Sequence, residues 1–189
     1  MAPMNAPDSD YDPDDNFGHG ADGHLEWDQD EEGAEALVWQ LLLAINPGDE
    51  ETALRQFDAY REAAAEAGDE AEPIELVRDV IDWVSGFQVQ VDDSATLIDA
   101  INELASRWNL RIDWGVDEPD DPAFLAATDV PALLAVAYDR LREYGYTVWT
   151  WNADDDIRAG WITLSRDDEA IRLLGPALGF EVRLASDTA

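Results

Sequence analysis

The chain has 189 residues, 46% of them hydrophobic, which suits one domain of ordinary size with a real core. It carries 44 acidic residues against 11 basic ones, a net charge of −33, and every basic residue is an arginine. Such a field repels phosphate backbones and anionic membrane surfaces, which argues against direct nucleic-acid or membrane binding, and it attracts basic proteins.

Residues 1 to 33 hold no Lys or Arg and many Asp, Pro and Gly, without apolar periodicity, so they are expected to form a disordered acidic tail. The rest, 34 to 189, is expected to be a single α+β domain. A first helix is predicted over Ala34 to Ile45, with Leu37, Leu41 and Leu42 on one face and Asn46-Pro47-Gly48 as its stop. A second runs from about Glu50 to Ala67, with Leu54, Phe57 and Tyr60 as its stripe and Gly68 at its end. Pro73 opens a third, carrying Ile74, Val77, Ile81 and Val84 up to Gly86. Phe87 to Val91 alternates and reads as a strand. Asp93 or Ser94 caps the next helix, with Leu97, Ile98, Ile101, Leu104 and Ala105 inside. Leu110 to Trp114 reads as another strand, and an Asp/Pro-rich loop follows to about Thr128. Asp129 caps a helix with Pro131 in its first turn, ending near Tyr144-Gly145. Tyr146 to Trp151 and Gly160 to Leu164 form a hairpin. Ser165 caps a last helix with Asp168 as the reciprocal group, and a strand over Phe180 to Leu184 closes the chain.

From residue 110 this order is that of a ferredoxin-like β-α-β-β-α-β arrangement with a mainly antiparallel sheet, preceded by N-terminal helices. Ile-Asp-Trp occurs twice, at 81 to 83 and 112 to 114, once on a predicted helix and once on a predicted strand, which makes the repeat a coincidence.

Missing residue types narrow the chemistry. Without lysine there is no P-loop lysine, Schiff base or kinase-type ATP lysine. Without cysteine there is no thiol nucleophile, disulfide or Cys-type zinc site, which fits a cytoplasmic protein. His19 and His24 both fall in the predicted tail. Together with Asp22 they are the right ligand types for a weak metal site, but ordering a flexible loop costs entropy. Asp8, Asp10, Asp12 and Asp14 have the spacing of a calcium loop, yet Pro13 stands where the turn glycine belongs and His19 where the closing glutamate belongs. No metal or other cofactor is expected. A carboxylate pair for acid–base work cannot be picked out among so many acids, and no catalytic residue is assigned. No run of about 18 apolar residues suggests a membrane span. The N-terminus, MAPMNAPDSDYDPDDNFG, has neither the basic nor the apolar region of a secretory signal.

The stretch TVWTWNADDDIRAGWITLS, residues 147 to 165, sets three tryptophans around three aspartates. Strand alternation puts Trp149, Trp151 and Trp161 on one sheet face, with Val148, Ile162 and Leu164 on the other. Crossover helices cover one face, and the upstream helices either bury the tryptophan face or leave it open as an aromatic platform. Asp154, Asp155 and Asp156 sit at the tip, where they are a solvated turn, a contact for a partner's arginines or, least in keeping with the residue types, a metal site.

The segments LLLAINPGDE, IDWGV, DVPALLAVAYDRLREYGYTVWTWN, AGWITLSRDDEA and LGFEVR resemble those of a family of small acidic bacterial proteins of unknown function. The resemblance covers about residue 34 to the end. It implies a bacterial, cytoplasmic origin and carries over no catalytic residues.

The expected function is non-enzymatic: an acidic protein, such as an immunity or inhibitor protein, that engages a basic protein partner through Trp149, Trp151, Trp161, Asp154, Asp155 and Asp156. The alternatives are a housekeeping protein whose charge serves solubility, and a small carboxylate-based enzyme or ligand-binding domain with an aromatic pocket.

Overall fold

Local signals place most of the helices. The computed structural model describes residues 25–68 and 71–188. Helix α1 spans Leu25–Ile45 and so begins before Ala34, where the apolar periodicity starts; the earlier part of the predicted tail, with both histidines, lies outside the described residues. Helix α2, Glu50–Ala67, has the expected bounds: the Asp49 side chain accepts from Thr52 N–H, and Gly68, at φ 70°, ends it. Helix α3, Pro73–Val80, stops short of the expected end. Ile81 leaves helical geometry there, and Asp82 accepts from Val84 N–H, turning the chain into strand β1, Gly86–Gln90. Helix α4, Ser94–Ser106, is capped by Asp93. A short helix α5, Pro122–Ala127, capped by Asp121, lies in the stretch expected to be loop. Helix α6, Val130–Glu143, is capped by Asp129. Strands β2, Tyr146–Asp154, and β3, Ile157–Leu164, are joined by Asp155 and Asp156 alone. Helix α7, Asp168–Ala177, and a short strand β4, Arg183–Leu184, complete the fold.

The α+β class is as expected, but the sheet is not the ferredoxin-like one. Its order is β1-β3-β2-β4, and all three pairings are antiparallel. β1 and β2 run parallel on either side of β3, as in a split β-α-β unit, but β4 pairs with β2, whereas a ferredoxin-like sheet sets its last strand beside its first. Leu110 to Trp114, expected to be its first strand, has no strand assignment. The segment packs Leu110, Ile112 and Trp114 onto the α4–α6 core, and Trp114 Nε1 donates to Asn102 Oδ1 at 3.1 Å. Side-chain burial, not a backbone ladder, holds it.

Helices cover both sheet faces. Phe87, Val89, Val148 and Ile162 face α4 and α6. Trp149, Trp151, Ala159 and Trp161 face α1, α3 and α7, with α2 closing that layer through Ala53 and Tyr60. Each indole hides about 150–250 Å² when buried, so covering this face stabilises the fold by several kcal/mol per ring.

Gly160 sits at the centre of β3, opposite Thr150 on one side and Phe87 on the other. A Cβ there would collide with the Trp149 carbonyl oxygen and the Phe87 ring. Glycine lets the phenyl ring lie flat across the strand.

Candidate functional site

Alternation along β2 and β3 brings Trp149 opposite Trp161 in the register, with Trp151 opposite Ala159, so the three indoles share one face as expected. The Trp151 and Trp161 rings lie 4.4 Å apart, and Phe180 stands edge-on to both at 5.8 Å. Arg172 of α7 lies 5.5 Å over the Trp149 ring. Trp149 and Trp161 are at most 1% exposed and Trp151 is 7% exposed. The open aromatic platform is therefore corrected: α1, α3 and α7 bury the face, and these tryptophans are core residues that a partner reaches only if the fold opens. The upstream helices do this because their own apolar stripes, Val38, Leu41, Leu42 and Ile45 on α1 among them, need a sheet to cover.

The aspartates are placed differently. Asp154 ends β2, and Asp155 and Asp156 make the two-residue turn to β3. The pairing shifts register between Asn152 and Asp154, a bulge that re-aims the tip. All three carboxylates are exposed, and none has an ion pair or a side-chain hydrogen bond among the described residues. β1 runs beside the hairpin up to the tip, where Gln90 pairs with Ile157 and Val91 N–H donates to the Asp156 carbonyl oxygen at 3.0 Å. What the three carboxylates offer chemically is a dense negative charge. Among the described residues no group of His, Cys, Asp or Glu is arranged to hold a metal ion, at the tip or elsewhere.

Asp168 does not make the expected capping box with Ser165. A turn of 3₁₀ helix, Ser165–Asp167, precedes α7, and the Asp168 carboxylate is taken by Arg142 Nη1 at 2.5 Å and by the buried Thr147 hydroxyl at 2.6 Å. The hydrogen bond from Arg142 to Asp168 raises the pKa of that guanidinium above its ordinary value. This network ties α6, β2 and α7 together.

Two side chains that sequence reasoning passed over share one sheet face, Thr150 on β2 beside β4 and Arg158 on β3 between Val89 and Asn152. Thr150 is fully buried with an unpartnered hydroxyl, and Arg158 has a buried Nε with no acceptor. No local pattern announces either; both depend on which strands lie beside them.

An antiparallel sheet between two helical layers, with three exposed aspartates at one hairpin tip, defines an α+β protein. The chain belongs to the family described as Domain of unknown function (DUF6630), whose model matches residues 37–185. Membership of a family of unknown function, as the resemblance implied, is thereby shown. Comparisons with curated proteins and with solved structures returned no match.

Proposed function

We propose that the protein is a non-enzymatic acidic binding protein that engages a basic protein partner, in the manner of an immunity or inhibitor protein acting in the cytoplasm. The observation that carries this is the hairpin tip: three exposed aspartates without side-chain partners among the described residues, brought together by the β2–β3 turn in a chain whose net charge is −33. Charges that serve only local structure tend to find partners within the fold, as the capping aspartates 49, 93, 121 and 129 do here. Unpaired carboxylates held together at one turn instead keep their field for an incoming cation. With the tryptophans buried, the packed centre of the contact moves to exposed side chains. No helix among the described residues is long and apolar enough to cross a membrane.

The test is a pull-down from lysate at low and high salt, with the wild-type chain beside the variant carrying Asp154→Asn, Asp155→Asn and Asp156→Asn. The expected result is a basic protein retained at low salt by the wild type and lost from the variant. Equal recovery by both, or recovery of no basic protein, favours the housekeeping role of the charge.

A further inference from the structure

Eleven basic residues serve a chain with 44 acids, so an arginine with no carboxylate beside it calls for a cause. Arg158 is such a residue. It stands on β3 opposite Asn152, and its Nη1 donates to Asn152 Oδ1. It has no ion pair among the described residues, and its buried Nε is without an acceptor. Burial lowers its pKa, the Arg183 guanidinium nearby lowers it further, and no acid acts the other way.

Thr150 lies two residues from Asn152 on the same sheet face. It is fully buried, and its Oγ1 has no partner. Buried hydroxyls and guanidinium N–H groups are nearly always paired, because leaving them unpaired forfeits their hydration. Here the two residues that carry such unpaired groups both border one cleft of about 350 Å³ at the edge of β2. Arg183, the register partner of Thr150, lines it from β4, and Arg78 lines it from α3. Glu72, Glu75 and Glu181 also line it, so the lining is formally neutral in a chain of net charge −33. Trp151 and Phe180 supply an apolar wall from the other sheet face, so that the cleft straddles the edge of β2. β4 pairs only with Trp149 and Thr150, so from Trp151 onward the outer edge of β2 lines the cleft with no strand beside it. The volume is that of a small-molecule site.

We propose that this cleft binds a small organic anion, its carboxylate or phosphate oxygens taken by Arg158 and the Thr150 hydroxyl and its apolar body laid against Trp151 and Phe180. Arg158 has Nη1 engaged by Asn152, which leaves its Nε edge for an oxyanion, the side that grips two oxygens at once. Both donors are covered in the present arrangement. Binding therefore calls for a neighbouring side chain to move, and Arg183, which shares their sheet face, is half exposed and is held by Glu181 at 3.0 Å, is the candidate. The site is independent of the acidic tip: it calls for a ligand of the opposite charge.

Calorimetric titration of the full chain with phenyl phosphate, benzoate and inorganic phosphate tests this. Saturable one-site binding of phenyl phosphate or benzoate is expected, and the tighter of the two identifies the headgroup. Inorganic phosphate should bind more weakly, because it lacks the body that Trp151 and Phe180 cover. Arg158→Gln and Thr150→Val should each weaken binding about tenfold or more, and Arg166→Gln, on an exposed arginine outside the cleft, should not. Thr150→Val removes an unpaired hydroxyl at constant shape, so its ligand-free unfolding midpoint should equal or exceed that of the wild type. A loss of affinity without a loss of stability separates a ligand role from a structural one. No saturable binding of any of the three anions, or binding unchanged in folded Thr150→Val, overturns the proposal.

Discussion

Trp149 and Thr163 meet inside the sheet: the indole Nε1 donates to the threonine Oγ1 at 2.9 Å, and both residues are buried. The neighbouring Trp161 has a buried Nε1 with no partner. Thr163→Val should therefore strand an indole N–H and cost about 1–3 kcal/mol. In a Trp149→Phe background the same change should cost little, because the donor is gone. Urea unfolding of the double-mutant cycle checks this; equal costs in both backgrounds would show that the hydrogen bond contributes nothing.

Gly160→Ala should be among the most damaging single changes. The added methyl meets a backbone carbonyl oxygen, which cannot swing away, and the Phe87 ring. A loss of about 1–3 kcal/mol or more is expected from overpacking, read as a lower unfolding midpoint. Phe87→Leu should recover only the ring's share of the loss, since the Trp149 carbonyl remains.

The tie among Arg142, Thr147 and Asp168 gives a further test. Asp168→Ala leaves the buried Thr147 hydroxyl with the Arg142 and Ser165 contacts only. Since Arg142 is partly exposed and solvent screens its charge, the expected loss is about 1–2 kcal/mol, less than for a fully buried pair. Amide exchange should quicken where α7 meets β2; unchanged exchange there would show that the tie does not couple the two elements.

How much of this was legible in the sequence divides by range. Caps and stops act within a turn, so Gly68, Asp93 and Asp129 announced their helix ends. The hairpin and the shared face of Trp149, Trp151 and Trp161 followed from alternation. Asp121-Pro122, a cap followed by a first-turn proline, was an equally good signal for α5 that the acidic loop composition masked. Leu110 to Trp114 misled because alternation reports a half-buried extended segment, not whether a ladder partner lies beside it. The Arg158–Thr150 cleft was beyond reach. Its lining comes from α3, β2, β3 and β4, and an orphaned hydroxyl exists only once the fold is known.

Two caps carry a pH dependence of known sign. The Thr52 and Thr96 amides hold the Asp49 and Asp93 carboxylates below the ordinary aspartate value. A depressed carboxylate contributes stability above its unfolded pKa, about 3.9, and loses it as pH falls through the lower folded value. Asp93→Ala should cost about 1 kcal/mol at neutral pH, and the gap from the wild type should close below about pH 4. Comparing the two proteins cancels the relief of acidic self-repulsion that both undergo. A gap constant across that range would show that the cap's charge is not involved.

The central claim is that recognition lies in the aspartates of the β2–β3 tip while the tryptophans beneath serve the core. Its most direct test is surface-plasmon kinetics with the basic protein that the wild-type chain retains at low salt, comparing wild type with the Asp154→Asn, Asp155→Asn, Asp156→Asn variant as ionic strength rises. The Debye length falls from about 10 Å at 0.1 M to about 3 Å at 1 M, so the wild-type association rate should drop steeply with salt. The variant should associate more slowly at low salt, show a shallower salt dependence and keep the wild-type unfolding midpoint. An association rate and salt slope identical to the wild type would contradict the claim.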